Sequence, residues 1–368
     1  MKSIIINIGS RSKKYSAFED DKLIASEEFA GLPSDAFDRF VEKNNLDLSE
    51  HSIGVRIVSP GKYFTEHRRV DRDFLEKLKE SEQIAPLHIE STRTEIEYII
   101  SKHPDTIIYA ISDSAFHKSI PDILRDYAIP DSFRQKYGIE KQGYHGLSIS
   151  SVVNTLINEL GSIPEKIVVC HLGGGSSVTA LKDGLSLDTS MGFTPLDGIP
   201  MAERVGSIDP GALIHLARME NMNWEDLLEF ISHSCGLEAV SGVQNGDMKD
   251  LLDISEDPSH PNHHGAIRAV DLYVASVAKN IGSMVAVLGG IDMLIFTGTI
   301  GVRSAPIRGK ICSKLGFIEV NIDSDLNQST QNPTESIDIS LDSKVRILVV
   351  PTNEAKEIQT ALMQSVSQ

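Results

Sequence analysis

The sequence predicts an α/β protein built from a duplicated unit with mixed sheets, and three observations carry that prediction. Apolar strand-like runs alternate along the chain with helix-period patterns. The plan strand, Gly/Ser turn, strand, polar turn, strand occurs twice, around Gly9 and around Gly174. The length of 368 residues exceeds what one ordinary core holds and suggests two domains.

The first copy of the plan is "SIIINIGSRSKKYSAFEDDKLIAS", with Glu19-Asp20-Asp21 as its polar turn. The second is "KIVVCHLGGGSSVTALKDGLSLDT", with Lys182-Asp183-Gly184 in that place. Between and after them, "DTIIYAIS", "DMLIFTG" and "VRILVV" read as buried strands. The stretch "IRAVDLYVASVAKNIGSMVAVL" places Ile267, Val270, Val274, Val277, Ile281 and Val285 at helical spacing, so a long, mostly buried helix is expected there. The polar run "DSDLNQSTQNPTESIDISLDSK" is expected to be a mobile surface loop.

Composition narrows the function. Hydrophobic content of 40% and charged content of 24% are those of a soluble globular protein. A net charge of −17 argues against nucleic acid or an anionic membrane surface as partner. No apolar run reaches the roughly 18 residues of a membrane span, and no signal-peptide pattern follows Met1, so a cytoplasmic protein is expected. Cys170, Cys235 and Cys312 are widely spaced and odd in number, which indicates reduced packing residues. His260, His263 and His264 cluster in "SHPNHHG", but no cysteine or carboxylate completes a zinc site at a suitable spacing.

The stretch "CHLGGGSSVTA" admits two readings. It is a plain hairpin turn, or a cradle in which backbone N–H groups and serine hydroxyls close on phosphate. The second copy of the plan raises the weight of the cradle. A third glycine site, Thr297-Gly298-Thr299-Ile300-Gly301, stands at the end of a predicted strand, where nucleotides sit in α/β folds. Glu354, in Pro351-Thr352-Asn353-Glu354, follows the last strand; standing alone it reads as a helix-cap or surface carboxylate, and beside several phosphate loops as a natural magnesium ligand.

The segments "NIGSRSKKY", "APLH", "DSAFHKSIP", "YHGLS", "HLGGGSSVTALKDGLSLDTSMGFTPLDG", "RVGSIDPG", "FTGTIG" and "VPTNE" occur in this order over essentially the whole chain. With them the chain resembles the acetate kinase family of the sugar kinase and actin superfamily. The resemblance implies a duplicated two-domain, actin-like (ribonuclease H-like) ATPase fold. Its domains would be 1–112 plus 355–368 and 113–354, with the active site in the cleft between them. It also implies reversible phosphoryl transfer from ATP to acetate, giving acetyl phosphate and ADP, with Mg2+ or alternatively Mn2+, in a homodimer. The alternatives are a propionate or butyrate kinase, an acetate kinase relaxed in its donor towards GTP or pyrophosphate, and a nucleotide-binding regulatory protein of the same fold.

Carried over residue by residue, the resemblance makes Asp113, Arg56, Arg204 and His145 catalytic, with His88 a more structural active-site histidine. Guanidinium forks suit this chemistry because they grip carboxylate and phosphate oxygens bidentately. Arg56, Val58, Leu87, Tyr144 and Pro195 would receive the acyl substrate, with Tyr144 standing where phenylalanine is usual. Lys14, His171, Leu172, Gly173, Gly174, Gly175, Asp247, Met248, Lys249, Gly298, Thr299, Ile300 and Gly301 would bind the nucleotide. Asn7 and Glu354 would hold the metal.

The departures from the family pattern fall mostly on the nucleotide side. Gly174 replaces an asparagine, Thr299 a glycine, Val302-Arg303 a Glu-Asn pair and Lys249 an arginine. The transfer residues remain, which argues for a working enzyme. Arg11 and Lys13 stand where serine and leucine are usual. Added charge beside a simplified loop would favour a donor recognised by its phosphates; the alternative is that both side chains point to solvent, as basic residues in exposed turns usually do, and backbone N–H groups alone hold ATP.

Overall fold

The computed structural model describes residues 1–9, 12–84 and 86–367, with the side chains of 86–88 excepted. The chain divides into two compact units: Met1–Lys118 with Ala128–Ser151 and Asn353–Gln368, and Ser119–Tyr127 with Val152–Thr352. The first of these units takes in 113–118, 128–151 and 353–354 besides the expected 1–112 and 355–368. Backbone bonds explain the shift: Asp113 N–H reaches Ile57 O at 3.0 Å and Gly146 N–H reaches Asp113 O at 2.9 Å. Asn353 N–H likewise donates to Ser151 Oγ at 2.9 Å.

The first unit contains β1 (Lys2–Ile8), β2 (Ser12–Glu19), β3 (Lys22–Ala30), β4 (His51–Ile57), β5 (Arg68–Arg69) and β6 (Ile108–Ser112). They form one sheet in the order β3-β2-β1-β4-β6-β5. The two hairpins are antiparallel, while β1, β4 and β6 run parallel. The run of isoleucines in β1 is explained by cover on both faces. Ile4, Ile6 and Ile8 pack with Phe37, Phe40, Ile96 and Ile99 from helices Ala36–Lys43 and Pro86–Lys102. Ile5 packs on the other face with Ile358 and Leu362 of the C-terminal helix Glu354–Val366. That helix lies close at Gly54, where a Cβ would meet Ile5, Ile358 and Leu362 side chains at 3.3 Å.

The second unit contains β7 (Lys166–Leu172), β8 (Ser176–Lys182), β9 (Leu185–Thr189), β10 (Met293–Thr297), β11 (Ile337–Asp338) and β12 (Arg346–Val349). Their order is β11-β12-β10-β7-β8-β9. This is the first sheet over again, with two antiparallel hairpins, three parallel strands and a short antiparallel edge. Even the irregularity in the second hairpin recurs, at Ala17/Phe18 and at Ala180/Leu181.

The expected long helix is His263–Leu288. Its length and apolarity would suffice to cross a membrane. Its apolar face, including Val270, Val274, Val277 and Ile281, instead packs in the core with Val168, Val178, Phe296, Cys170 and Cys312.

The polar run 323–344 is more ordered than a loop. Asp323 caps the helix Ser324–Ser329 by accepting N–H from Asp325 and Leu326. Ile337 and Asp338 then pair with β12, and Ile339 is fully buried. Scattered apolar residues anchor a stretch whose composition reads as solvated.

Candidate active site

In the first unit, alternation along the parallel strands decides which side chains meet. Ile6 pairs with Val55, so Asn7 and Arg56 are the next neighbours along β1 and β4. They share a face with Ile5 and Gly54, the face covered by helix Glu354–Val366. The first residue of that helix, Glu354, thereby reaches them. Asn7 Nδ2 donates to Glu354 Oε2 at 2.8 Å and Asn7 Oδ1 accepts from Arg56 Nη1 at 3.2 Å. Arg56 Nη1 also lies 3.8 Å from Glu354 Oε2.

Asp113 stands one residue beyond β6, and its side chain is 1% exposed. Arg56 grips it with two bonds, Nε to Oδ1 at 3.2 Å and Nη2 to Oδ2 at 3.0 Å. His145 adds its backbone N–H to Oδ2 at 2.7 Å. His145 holds the left-handed φ of 62°, a strained conformation for a non-glycine residue. Burial pushes the Asp113 carboxyl up, but the Arg56 charge and bonds together with the His145 N–H outweigh it and hold Asp113 below its ordinary value. Burial opposes the Arg56 charge in the same way, yet Asp113 and Glu354 raise its pKa further.

Residues that the sequence reading did not single out stiffen this end of the sheet. His117 is 1% exposed and donates from Nε2 to Tyr144 O at 2.9 Å. Ser114 Oγ donates to Gly143 O at 2.7 Å, and Ser112 Oγ to Phe64 O at 2.5 Å. Ser112 N–H donates to His67 Nδ1 at 3.1 Å, and burial lowers the His67 pKa, consistent with a neutral ring. All but His67 fall in or beside the motifs "DSAFHKSIP" and "YHGLS", which were the available signal.

Of the acyl-pocket residues, Val58 lies just past β4 and Tyr144 is 1% exposed. The side chains of Leu87 and His88 lie outside the described residues, as does Arg11.

Lys13 corrects the expectation of added charge beside the first loop. Its Nζ donates to Glu95 Oε2 at 2.5 Å and to Pro33 O at 2.9 Å, and both charged side chains are nearly inaccessible, at 6% and 1%. Tyr15 OH engages the other Glu95 oxygen at 2.5 Å. Alternation turns Lys14 instead to the face of Asn7, its partner in the hairpin register. Lys14 is exposed and lies 3.6 Å from Glu28 Oε2.

The second unit places the glycine sites side by side. The β7–β8 turn closes with Gly173 N–H on Gly175 O at 2.9 Å. A Cβ on Gly173 would lie 3.6 Å from Thr299 N. Gly298 has φ +76°, and a Cβ there would come 2.6 Å from Leu172 O, so no other residue fits without strain. Thr297 Oγ1 donates to Val350 O at 2.7 Å. His171 is 9% exposed and pairs with Thr297 and Ser177. Leu172 is fully buried in the core, and so contributes backbone rather than side chain to the turn.

Asp247 caps helix Met248–Ser255 by accepting the N–H groups of Lys249 and Asp250. Asp247 and Lys249 are exposed, while Met248 is 4% exposed in the core. Arg204 is partly buried, with Nη1 3.5 Å from Met201 Sδ. Burial lowers its pKa, and Glu203 offsets this only in part. Pro195 is buried in the same unit. Among the described residues, no group of three or more His, Cys, Asp or Glu side chains is spaced to hold a metal ion.

Known proteins resemble the chain over most of its length. Residues 35–360 match the model of the acetokinase family. An acetate kinase from Acetivibrio thermocellus is 37% identical over 323 residues, covering 87% of this chain and 79% of its own. Among solved structures, acetate kinase from Entamoeba histolytica superposes with a TM-score of 0.85 at 30% identity, covering 100% of this chain and 99% of its own. A propionate kinase from Francisella tularensis superposes with a TM-score of 0.87 at 28% identity, covering 98% of each. The strand-end cluster, the duplicated sheets and these likenesses together make the chain a member of the acetokinase family.

Proposed function

We propose that the protein transfers the terminal phosphoryl group of ATP reversibly to acetate, giving acetyl phosphate and ADP. The observation that carries this reading is Arg56, held in two bonds by Asp113 and in a third by Asn7, with Glu354 beside it. A carboxylate acceptor is already ionised at neutral pH, so the transfer needs no base. One acetate oxygen forms the new bond to phosphorus as the bridging oxygen leaves with ADP, and no proton changes place.

Asp113 therefore serves by orientation. Its oxygens fix the Arg56 fork, which meets acetate and the transferring phosphoryl oxygens where charge shifts in the transition state. The His145 ring is the first unit's further candidate for contact with phosphoryl oxygens, and Arg204 is the second unit's. Lys14, His171 and the backbone of 172–175, 247–249 and 298–301 receive the nucleotide. Val58, Leu87 and Tyr144 are the first unit's candidate acyl-contacting residues, and Pro195 is the second unit's.

A magnesium or manganese ion would be held through Glu354, because Asn7 and Arg56 both engage Oε2 and leave Oε1 to a cation. One carboxylate with substrate oxygens and water suits magnesium. Bound there, the ion would neutralise charge on the phosphate oxygens. Asn7 Nδ2 donates to Glu354 and its Oδ1 accepts from Arg56, and the second lone pair of that oxygen would serve the same ion.

A second reading, propionate as the acid, is favoured by the likeness to the propionate kinase. Incubating purified protein with ATP, Mg2+ and a panel of short acids, and trapping the acyl phosphate with hydroxylamine, decides between them. Nucleotide affinity without any acyl phosphate would overturn transfer in favour of a regulatory role.

The enzyme works in the cytoplasm as a homodimer. Helices Pro210–Met219 and Trp224–His233 leave Ile214, Met219 and Trp224 more than half exposed, an apolar surface that a second copy would cover. Sedimentation of a single 40.3 kDa species would overturn the dimer.

A further inference from the structure

The carbonyl of Ala202, two residues before Arg204, lies where three backbone segments of the second unit meet. Leu237 and Glu238, in the short helix Gly236–Ser241, donate their N–H groups to Met201 O and Ala202 O, each at 2.9 Å. Cys235 N–H donates to Glu203 O at 3.1 Å. Gly246 closes on the same junction: a Cβ there would come 2.7 Å from Ala202 O and 2.8 Å from Glu238 N.

Glu238 reaches from this junction to a second segment. Its Oε2 accepts the N–H of Asn245 at 2.8 Å. Asn245 has φ 64°, a conformation that needs a local partner to persist. It leads through Gly246 into Asp247, which caps the helix that begins at Met248. The main chain of Glu238 thus holds the stretch ending on Arg204, while its side chain holds the turn leading to Asp247 and Lys249.

We propose that Glu238 is a positioning residue that fixes the nucleotide-binding turn at Asp247–Lys249 to the segment carrying Arg204. A nucleotide gripped by the turn then presents its phosphoryl group at a set distance from the guanidinium. The inference rests on the roles given above to Arg204 and to Asp247–Lys249. What the junction requires is an acceptor oxygen rather than a charge, and glutamine retains one.

Steady-state kinetics of Glu238→Ala and Glu238→Gln beside the unaltered enzyme test this. The alanine variant should raise KM for ATP and lower kcat, each about fivefold, the scale of one lost hydrogen bond. Its KM for acetate should not change. The glutamine variant should recover both parameters. Glu238 is partly exposed, so the alanine variant should fold, and thermal melting checks that it does.

A lowered Tm with unchanged kcat per folded enzyme and unchanged KM for ATP would make Glu238 merely structural and overturn the proposal. A glutamine variant as impaired as the alanine one would overturn it as well. Absence of turnover in the unaltered enzyme would instead sink phosphoryl transfer itself. Calorimetric ATP affinity, equal in Glu238→Ala and the unaltered protein, would then sink the positioning role separately.

Discussion

Arg56 on β4 and Thr297 on β10 occupy matching places in the two sheets. Each lies beside the residue two before a glycine turn, Asn7 before Gly9 in one case and His171 before Gly173 in the other. Thr297 turns its hydroxyl back onto Val350 O within its own sheet. Arg56 reaches outward to Asp113, Asn7 and Glu354. One topology therefore ends in charge in the first unit and in closely packed backbone in the second. The first suits an anionic acceptor and the second a nucleotide laid along N–H groups. The duplication supplies the frame, and a few strand-end residues set the chemistry each half offers.

The largest expected effect tests the charged half. Arg56→Ala should lower kcat by about 10²–10³, the scale of losing one preorganised donor. It should also destabilise the fold by about 3–5 kcal/mol, because Asp113 is left buried without its counter-charge. Arg56→Lys should recover part of the stability and little of the rate, since a point charge cannot make both bonds. Near-normal turnover in Arg56→Lys would show that the fork is not what the reaction uses.

Lys13 and Lys14 sharpen the comparison within one strand. Lys13→Ala strands Glu95 in the core and should cost about 3–5 kcal/mol in urea unfolding, with KM for ATP unchanged in the folded fraction. Lys14→Ala should cost under about 1 kcal/mol, because its ion pair is exposed. A shift in donor KM on changing Lys13 would restore the phosphate role that its burial argues against.

Much of the fold was legible because its signals are local. Two glycine hairpins and strands apolar on both faces identify the duplicated sheets without any tertiary knowledge. The cluster was legible only through motif resemblance, since Asn7, Arg56, Asp113 and Glu354 are far apart in sequence and nothing local says they meet. Lys13 was misread because a lysine beside a glycine turn usually faces water, and only Glu95, on a helix far along the chain, makes its burial tolerable. Ile339 escaped for a related reason: burial within a polar stretch depends on what packs above it.

Gly298 tests the glycine half. Gly298→Ala forces a Cβ to 2.6 Å from Leu172 O at a left-handed φ and should cost about 1–3 kcal/mol. KM for ATP should rise with it. An unaltered melting temperature would mean that the Thr297-Gly298 turn can relax away from β7.

Acid should loosen the charged half in two stages. The His67 pKa lies below its ordinary 6.5, so the stability tied to its neutral ring is complete above that pH and declines as pH falls. Asp113, held below its ordinary 3.8, adds a second loss as pH falls through its folded value. Thermal melts across this range should show both declines, and His67→Gln should remove the first. A first decline that survives in His67→Gln would assign it to another group.

The smallest expected effect falls on Gly174, where the family resemblance implies an asparagine. A Cβ at this position would meet nothing within 4 Å, so no packing at the site demands glycine. Gly174→Asn should therefore leave the melting temperature nearly unchanged, in contrast to Gly298→Ala. The added amide gives the turn a side-chain donor for phosphate oxygens, and one such bond should lower KM for ATP by about fivefold. If, as proposed, the turn holds a donor through backbone N–H groups, which every polyphosphate can engage alike, the gain should be similar for ATP, GTP and pyrophosphate where the site reads phosphates alone. A gain confined to ATP would show that the base is already fixed elsewhere, at Asp247–Lys249, and that the simplified loop has not relaxed the choice of donor. No gain with any donor would place Gly174 outside the phosphate cradle and return the triple glycine to an ordinary hairpin turn.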